Sequence, residues 1–179
     1  MLYAEAQTPN ENEITKLFTE TFAASEGEAE GVLIGTLVTK LLKDQKADGS
    51  RVFTAIDNGT LFGAVVFSPL LYADDPRIVH LLSPMAVATE RHGEGIGQAL
   101  ITHALNTLRN TGTDVAITYG SPAFYGKTGF QPLSESIASA PQALSFPHGW
   151  IGQSLTEAPI TPLKGPASCV SALNDPSVW

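Results

Sequence analysis

The stretch HGEGIGQ at residues 92–98 carries three glycines at alternate positions, Gly93, Gly95 and Gly97. An apolar run precedes it and a helix-forming run follows it. The first amides of a helix have no backbone acceptor, and the aligned peptide dipoles create positive potential there. Glycines let a backbone approach an anion closely and adopt dihedral angles that other residues avoid. The pattern therefore predicts a loop that binds the phosphates of a ligand.

Two familiar phosphate loops do not match this stretch. The P-loop has Lys and then Ser or Thr after its last glycine, whereas Gln98 and Ala99 follow Gly97. The dinucleotide fingerprint has a third glycine at the position of Gln98 and follows a first strand, whereas helical patterns and a hairpin precede this loop. The alternative without chemistry is a glycine-rich turn that only packs a helix against a strand.

A second segment, YGSPAFYGKTGF, places a serine at a strand-to-helix turn, which raises the possibility of a hydrolase. The nucleophile elbow of such enzymes reads G-x-S-x-G. Tyr119 and Ala123 stand at its two glycine positions. Ser121 is better explained as the N-cap of a short helix, with Pro122 at the first helical position.

The two segments together resemble the GNAT superfamily of acyl-CoA N-acyltransferases. The loop of that family, [Q/R]-x-x-G-x-[G/A], opens a helix after the fourth strand, and residues 92–97 take that place here. The family often continues with an aromatic residue, a tyrosine, a short polar stretch and Gly-Phe, which here is FYGKTGF at 124–130. The resemblance covers roughly residues 2–133. It implies an α/β domain with a mixed, mostly antiparallel sheet flanked by helices, of the acyl-CoA N-acyltransferase type.

The resemblance also implies a cofactor, acetyl-CoA, used as co-substrate without a metal. The pyrophosphate is expected on the loop amides and the pantetheine along the preceding strand. The Val87 amide, or one next to it, is expected to polarise the thioester carbonyl. Tyr125 matches the acid that protonates the thiolate, and an ordinary pKa of about 10 suits a donor; otherwise it is a core aromatic beside Phe124. The implied cofactor-binding residues are Met85, Ala86, Val87, His92, Gly93, Glu94, Gly95, Ile96, Gly97 and Gln98.

The implied reaction is transfer of an acetyl group from acetyl-CoA to a primary amine by direct attack in a ternary complex. The alternative is a non-catalytic acyl-CoA-binding sensor or interaction module with the same fold. It is suggested by His92 at the Gln/Arg position of the family, by Glu94 where a basic or amide residue is common, and by the lack of an evident base. A carboxylate at Glu94 beside a pyrophosphate is unfavourable unless its side chain turns outward. His80, His103 and His148 remain open as candidate bases.

Patterns before the loop predict the elements that position it. Apolar residues at helical spacing predict helices over residues 9–24 and from about 28 to 42. Two β-rich runs, 51–57 and 61–68, flank Asn58-Gly59, a sequence in which both residues tolerate positive φ. These runs therefore predict adjacent antiparallel strands joined by a tight hairpin turn.

Further patterns predict a strand over 77–87, a helix over 95–109 and a strand over 114–119, with the two strands parallel. Pro84 cannot donate to a strand ladder, so it predicts an edge or a bulge at that point. A short helix in SPAFYGKTG and a strand in GFQPL follow. One more strand is expected over 150–157.

Composition and charge restrict the partners. The net charge of −8 disfavours nucleic acid and favours a cationic substrate such as an amine. No apolar run approaches the roughly 20 residues that span a bilayer, and the first residues do not resemble a signal peptide. We therefore expect a cytoplasmic protein that does not bind membranes and acts on a small-molecule or peptide amine, as a monomer or homodimer. Residues 1–140 are expected to form the N-acetyltransferase core, and the Pro-rich strand and arm of 141–179 to pack on it.

Overall fold

The computed structural model describes residues 1–179 and contains four α-helices, eight β-strands and several short 3-10 turns. The strands are β1 (Leu2–Glu5), β2 (Arg51–Asp57), β3 (Thr60–Tyr72), β4 (Val79–Val87), β5 (Val115–Tyr119), β6 (Gln131–Pro132), β7 (Trp150–Ser154) and β8 (Ala167–Cys169). The helices are α1 (Glu11–Glu26), α2 (Glu28–Asp48), α3 (Ile96–Asn110) and α4 (Pro122–Tyr125). None of the helices is both long and apolar enough to cross a bilayer.

Hydrogen bonds connect seven strands in the order β1-β2-β3-β4-β5-β7-β6, and β8 pairs with β3. The β4–β5 pair is parallel, as the strand–helix–strand pattern predicts. The pairs β1–β2, β2–β3, β3–β8, β5–β7 and β6–β7 are antiparallel. The α/β fold with a mixed, mostly antiparallel sheet and flanking helices is therefore confirmed.

The chain forms two compact units. The first comprises Met1–Phe67 and Ser83–Ala104, and the second comprises Ser68–Leu82 and Leu105–Trp179. Strands β3 and β4 and helix α3 each contribute residues to both units. The division of the chain at residue 140 stays a prediction.

A tight hairpin organises the sheet of the first unit. Asn58 and Gly59 have φ angles of 47° and 81°, and Asp57 pairs with Thr60 across the turn. Positive φ at both central residues is the requirement of a two-residue turn that matches the strand twist. The predicted hairpin is confirmed.

Apolar faces of the helices and strands fill the interior of the first unit. Phe18 of α1, Leu41 of α2 and Leu100 of α3 are fully buried. Phe53 and Phe67 on neighbouring strands meet edge to face, with ring centroids 5.9 Å apart. Such a pair adds about 0.5–1.5 kcal/mol beyond the burial of its area.

Strand β5 has partners on both sides in the second unit. It pairs with β4 over Val79–Leu82, where the last pair joins Leu82 to Thr118, and with β7 on its other side. The pairing with β5 ends before Pro84, while β4 itself continues as a strand to Val87. Pro84 therefore does not lie on an edge strand; it follows the point where the β4–β5 ladder stops.

The C-terminal segment is part of the second unit. The Trp150 indole donates to the Ala138 carbonyl at 2.8 Å, and the Trp179 ring lies 6.1 Å from the Trp150 ring. Trp179 is itself 9 % exposed and donates to the Leu173 carbonyl at 2.8 Å. Two buried tryptophans, one of them the last residue, thus hold this segment within the second unit.

Candidate active site

The glycine loop of the first unit depends on backbone angles. Gly93 and Gly95 have φ angles of 86° and 78°. A side-chain Cβ at either position would meet nothing within 4 Å, so space does not require these two glycines. Gly97 lies inside α3 and has no positive φ. The left-handed backbone of the first two glycines therefore shapes the loop.

Six successive amides, from Gly93 to Gln98, donate to no acceptor within the protein. The first helical hydrogen bond here runs from the Ala99 amide to the Gly95 carbonyl, at 3.0 Å. These amides lie where the dipole of the 15-residue helix α3 adds positive potential. The arrangement can bind a phosphate or pyrophosphate group.

The carboxylate of Glu94 forms an ion pair beside these amides. Its two oxygens lie 2.9 and 2.8 Å from the Nε of Arg91. The Arg91 guanidinium also lies 3.6 Å from Asp57 and 4.5 Å from the ring centroid of Phe62. Its hydrogen bond to Glu94 is the main cause that raises the pKa of Arg91. The negative charge of Glu94 is therefore partly offset by a cation three residues earlier.

His92 holds the end of strand β4. Its Nε2 lies 2.8 Å from the Val87 carbonyl oxygen and must donate there, since a carbonyl only accepts. The Thr21 hydroxyl donates to the same oxygen at 3.4 Å, and the Ala88 amide donates to the Phe62 carbonyl at 2.8 Å. The peptide group between Val87 and Ala88 is thus fixed on both sides. The sequence contains no signal for the contact between Thr21 and Val87, because the two residues are 66 positions apart.

Strand geometry sets the direction of the Val87 amide. Successive amides of a strand point to opposite edges, and the Ala88 amide points to Phe62 of β3. The amides of Val87 and Met85 therefore point to the edge away from β3. Ala86, between them, is 2 % exposed. Val87 and Met85 could donate to a chain that lies along that edge.

Tyr125 ends the short helix α4 of the second unit. Ser121 takes the N-cap position, as expected, although its side chain makes no capping hydrogen bond. Its carbonyl instead accepts from the amides of Phe124 and Tyr125, at 3.1 and 3.0 Å. The chain then turns through Gly129, with φ of 100°, so that Phe130 is buried.

Aromatic rings on two sides hold the Tyr125 ring. The centroid of Phe124 lies 5.0 Å away and that of Phe130 lies 5.8 Å away, both edge to face. Burial raises the pKa of Tyr125 to about 12, and a hydrogen bond with the Thr118 side chain opposes the rise. This value corrects the ordinary pKa that the sequence suggests. The phenol keeps its proton at neutral pH and can therefore act as a hydrogen-bond or proton donor.

The three candidate histidines lie in different surroundings. His80 is 8 % exposed, and its Nδ1 lies 3.1 Å from the Thr113 hydroxyl. His103 is on α3, with the Phe53 ring centroid 6.2 Å from its own. His148 is exposed, in a short turn before β7. These surroundings assign the role of base to none of them.

Comparison with known proteins identifies the family of the chain. A model of the acetyltransferase (GNAT) domain matches residues 48–132. YjhQ, an uncharacterized N-acetyltransferase of Escherichia coli K12, is 31% identical over 138 residues, which are 74% of this chain and 76% of YjhQ. The chain belongs to the GNAT family of acetyltransferases. It is an acyltransferase, as the two motifs imply.

Solved GNAT structures share the fold. The N-acetyltransferase YhbS of Escherichia coli, solved in complex with CoA, superposes with a TM-score of 0.74 at 23% identity, over 97% of this chain and 92% of YhbS. A GNAT acetyltransferase of Brucella melitensis, solved with acetyl-CoA, gives a TM-score of 0.69 at 21% identity, over 96% of both chains. The GNAT fold therefore extends over nearly the whole chain, including the C-terminal segment that the sequence motifs do not cover.

Proposed function

We propose that this GNAT protein transfers the acetyl group of acetyl-CoA to a primary amine, which attacks the thioester directly in a ternary complex. The observation that carries the proposal is the run of six amides without a protein acceptor, Gly93 to Gln98, at the start of α3. YhbS and the Brucella protein, which have this fold, were crystallised with CoA and acetyl-CoA.

The residues of the loop are compatible with the pyrophosphate of coenzyme A. Gly93 and Gly95 leave open space where side chains would stand, so a phosphate can approach the backbone. The charge of Glu94 is engaged by Arg91, which reduces its repulsion of the anion. The His92 side chain donates to the Val87 carbonyl, so we propose that His92 stabilises the end of the strand beside the cofactor.

The end of β4 would hold the pantetheine arm and the thioester. Acetyl-CoA supplies the acyl group and a thiolate leaving group. The amide of Met85 would donate to the arm, and the amide of Val87 would donate to the thioester carbonyl. A donor fixed in advance is most effective where negative charge develops, as on that oxygen during attack. The hydrogen bonds on the next peptide group, between Val87 and Ala88, hold the strand end beside this amide.

The Tyr125 hydroxyl would stabilise the thiolate leaving group. The amine nitrogen bonds to the carbonyl carbon, the carbon–sulfur bond breaks, and the sulfur takes the electron pair. A free thiol has a pKa of about 8.5, well below the value of about 12 for Tyr125. Complete transfer of the phenol proton would therefore be uphill, and the hydroxyl would stabilise the thiolate mainly by donating a hydrogen bond. The proton that the amine loses balances the one that the thiol finally gains.

The proposed class of acceptor rests on the net charge of the chain. The net charge of −8 would attract a cationic small-molecule or peptide amine to the protein. Such an amine must lose a proton before its nitrogen can attack. We propose that the protein acts in the cytoplasm as a monomer or homodimer.

A screen of amines with acetyl-CoA tests the proposal. Polyamines, aminoglycosides, amino acid amides and short peptides are incubated with the protein, and thiol release and acetylated product are both quantified. We expect at least one amine to give thiol and acetyl-amine in equal amounts. Binding of CoA in calorimetry without acetylation of any amine would contradict the proposed reaction and support a sensor.

A further inference from the structure

The ring of Tyr125 lies against the backbone of Gly120, the residue after strand β5. A Cβ added to Gly120 would lie 2.7 Å from Cε2 of Tyr125, 3.4 Å from Cδ2 and 3.7 Å from Cζ. Carbon atoms that are not bonded prefer separations of about 3.5–4.0 Å. Gly120 does not have a positive φ. Glycine is therefore required here for space.

The backbone at Gly120 is held from another direction. Its amide donates to the Gly149 carbonyl at 2.9 Å. A Cβ on Gly149 would in turn lie 3.0 Å from the Gly120 carbonyl oxygen, so these two backbone segments pack closely. The strand end therefore has little freedom to move back and make room for a side chain at position 120.

The Tyr125 ring has little freedom to yield in its own plane. Phe124 and Phe130 meet it edge to face, and Phe130 is 2 % exposed. A methyl group at position 120 would therefore turn or push the ring, and the hydroxyl at its tip would move furthest.

We propose that Gly120 is a positioning residue: its missing side chain sets where the Tyr125 ring lies and hence where its hydroxyl points. Gly120 acts through Tyr125 and is assigned no contact with substrate. The inference rests on the proposed function, because it matters for catalysis only if the Tyr125 hydroxyl assists the departing thiolate.

The first experiment compares Gly120→Ala with a matched control, Gly126→Ala. Gly126 has α-helical angles, φ −57° and ψ −27°, and a Cβ there meets nothing within 4 Å. With an acceptor from the screen, we expect Gly120→Ala to lower kcat by about 10- to 100-fold, which at most reaches the lower end of the range of about 10²- to 10⁴-fold for a lost acid. The Kd of CoA by calorimetry and the kcat of Gly126→Ala should stay within twofold of the wild type. An unchanged kcat in Gly120→Ala would overturn the inference.

A double-variant cycle separates positioning from general damage. In a Tyr125→Phe background the hydroxyl is absent, so Gly120→Ala should lower kcat no further. An equal loss in both backgrounds would overturn the inference while leaving acetyl transfer itself intact. If Tyr125→Phe alone keeps full kcat, the role of the hydroxyl fails, and the inference fails with it. Absence of acetyl transfer in the wild type would instead contradict the proposed function.

A folding measurement covers the case in which Gly120→Ala does not fold. The Gly120→Ala/Tyr125→Ala double variant lacks the ring that the new methyl group meets. If the ring contact causes the defect, its Tm should match that of Tyr125→Ala alone, within the error of the scan. A double variant that stays unfolded while Tyr125→Ala folds would overturn the inference.

Discussion

At the scale of single residues, the proposed chemistry depends on one hydroxyl and one amide whose surroundings the sequence only partly reveals. The motif around Tyr125 identifies the tyrosine, but not the pKa of about 12 that burial gives it. The loop motif identifies Gly93 and Gly95, and glycine permits the positive φ angles that both of them adopt. The contact between His92 and Val87 could not be predicted, because it depends on how the loop folds back onto the strand.

Tyr125→Phe tests the hydroxyl directly. The substitution keeps the ring and its aromatic contacts and removes only the donor. We expect kcat to fall by about 100-fold, within the range of a general acid, while the Kd of CoA and the Tm stay near wild-type values. Steady-state kinetics, calorimetry and a thermal scan provide the three measurements. A kcat within twofold of wild type would remove Tyr125 from the mechanism.

The pH profile tests the raised pKa of Tyr125. An acid group is active while protonated, so its contribution is lost only as the pH rises through its pKa of about 12. We expect kcat/KM to rise as the amine deprotonates and then to stay level beyond pH 10. An exposed tyrosine would begin to lose its proton there, since its pKa is about 10. A falling limb centred near pH 10 in the wild type, absent in Tyr125→Phe, would contradict the buried phenol.

At the scale of elements, periodicity and turn signals predict most of the frame that holds the site. The hairpin at Asn58-Gly59 and the parallel β4–β5 pair follow from them. Helix α2 runs on to Asp48, whereas the sequence pattern predicts an end near residue 42. The last turn is polar and carries no apolar stripe, so periodicity could not predict this extension. Strands β1 and β8 have only four and three residues, too few for an alternating pattern to emerge.

The loop before α3 gives the prediction for cofactor binding. Alanine at position 95 would be strained at a φ of 78° and would shift the amides that follow. We expect Gly95→Ala to weaken the Kd of CoA by about tenfold, equivalent to about 1.4 kcal/mol. Gly112→Ala is the matched control, because φ there is 94° and a Cβ also meets nothing within 4 Å. Equal CoA affinity in both variants, measured by calorimetry, would argue against binding at the loop.

The turn between β3 and β4 is tied to a distant segment of the second unit. Asp75 accepts from the Arg77 side chain at 2.7 and 2.8 Å and from the Lys164 amide at 3.0 Å, while Arg77 donates to the Thr161 carbonyl at 3.0 Å. The hydrogen bonds from Arg77 are the main cause that holds the pKa of Asp75 well below its usual range.

Asp75→Asn is therefore expected to lower the Tm by about 2–4 °C at pH 7, a change that corresponds to about 1 kcal/mol for a chain of this size. A lowered folded-state pKa stabilises the protein above the unfolded value of about 3.9, and this gain is lost as the pH falls further. The difference in Tm between wild type and variant should persist at pH 5 and shrink below about pH 4. A constant difference from pH 7 to pH 3 in thermal scans would contradict the role of the charged form.

At the scale of the whole molecule, family membership establishes an acyltransferase and leaves the acceptor to experiment. The GNAT fold covers almost all of the chain in its structural neighbours. The net charge of −8 is the one global property that bears on the acceptor, and it favours cations. A fold supports many substrates, so the acceptor depends on local groups that neither motif contains.

The order of chemical events is the central claim, and two-substrate kinetics on the wild-type protein test it most directly. Initial rates are measured while acetyl-CoA and the acceptor are both varied, and the protein is weighed by mass spectrometry after incubation with acetyl-CoA alone. Direct attack in a ternary complex predicts double-reciprocal lines that intersect and a protein mass that does not change. Parallel lines together with an acetylated protein would contradict it, because they indicate a covalent acyl-enzyme formed before the amine binds.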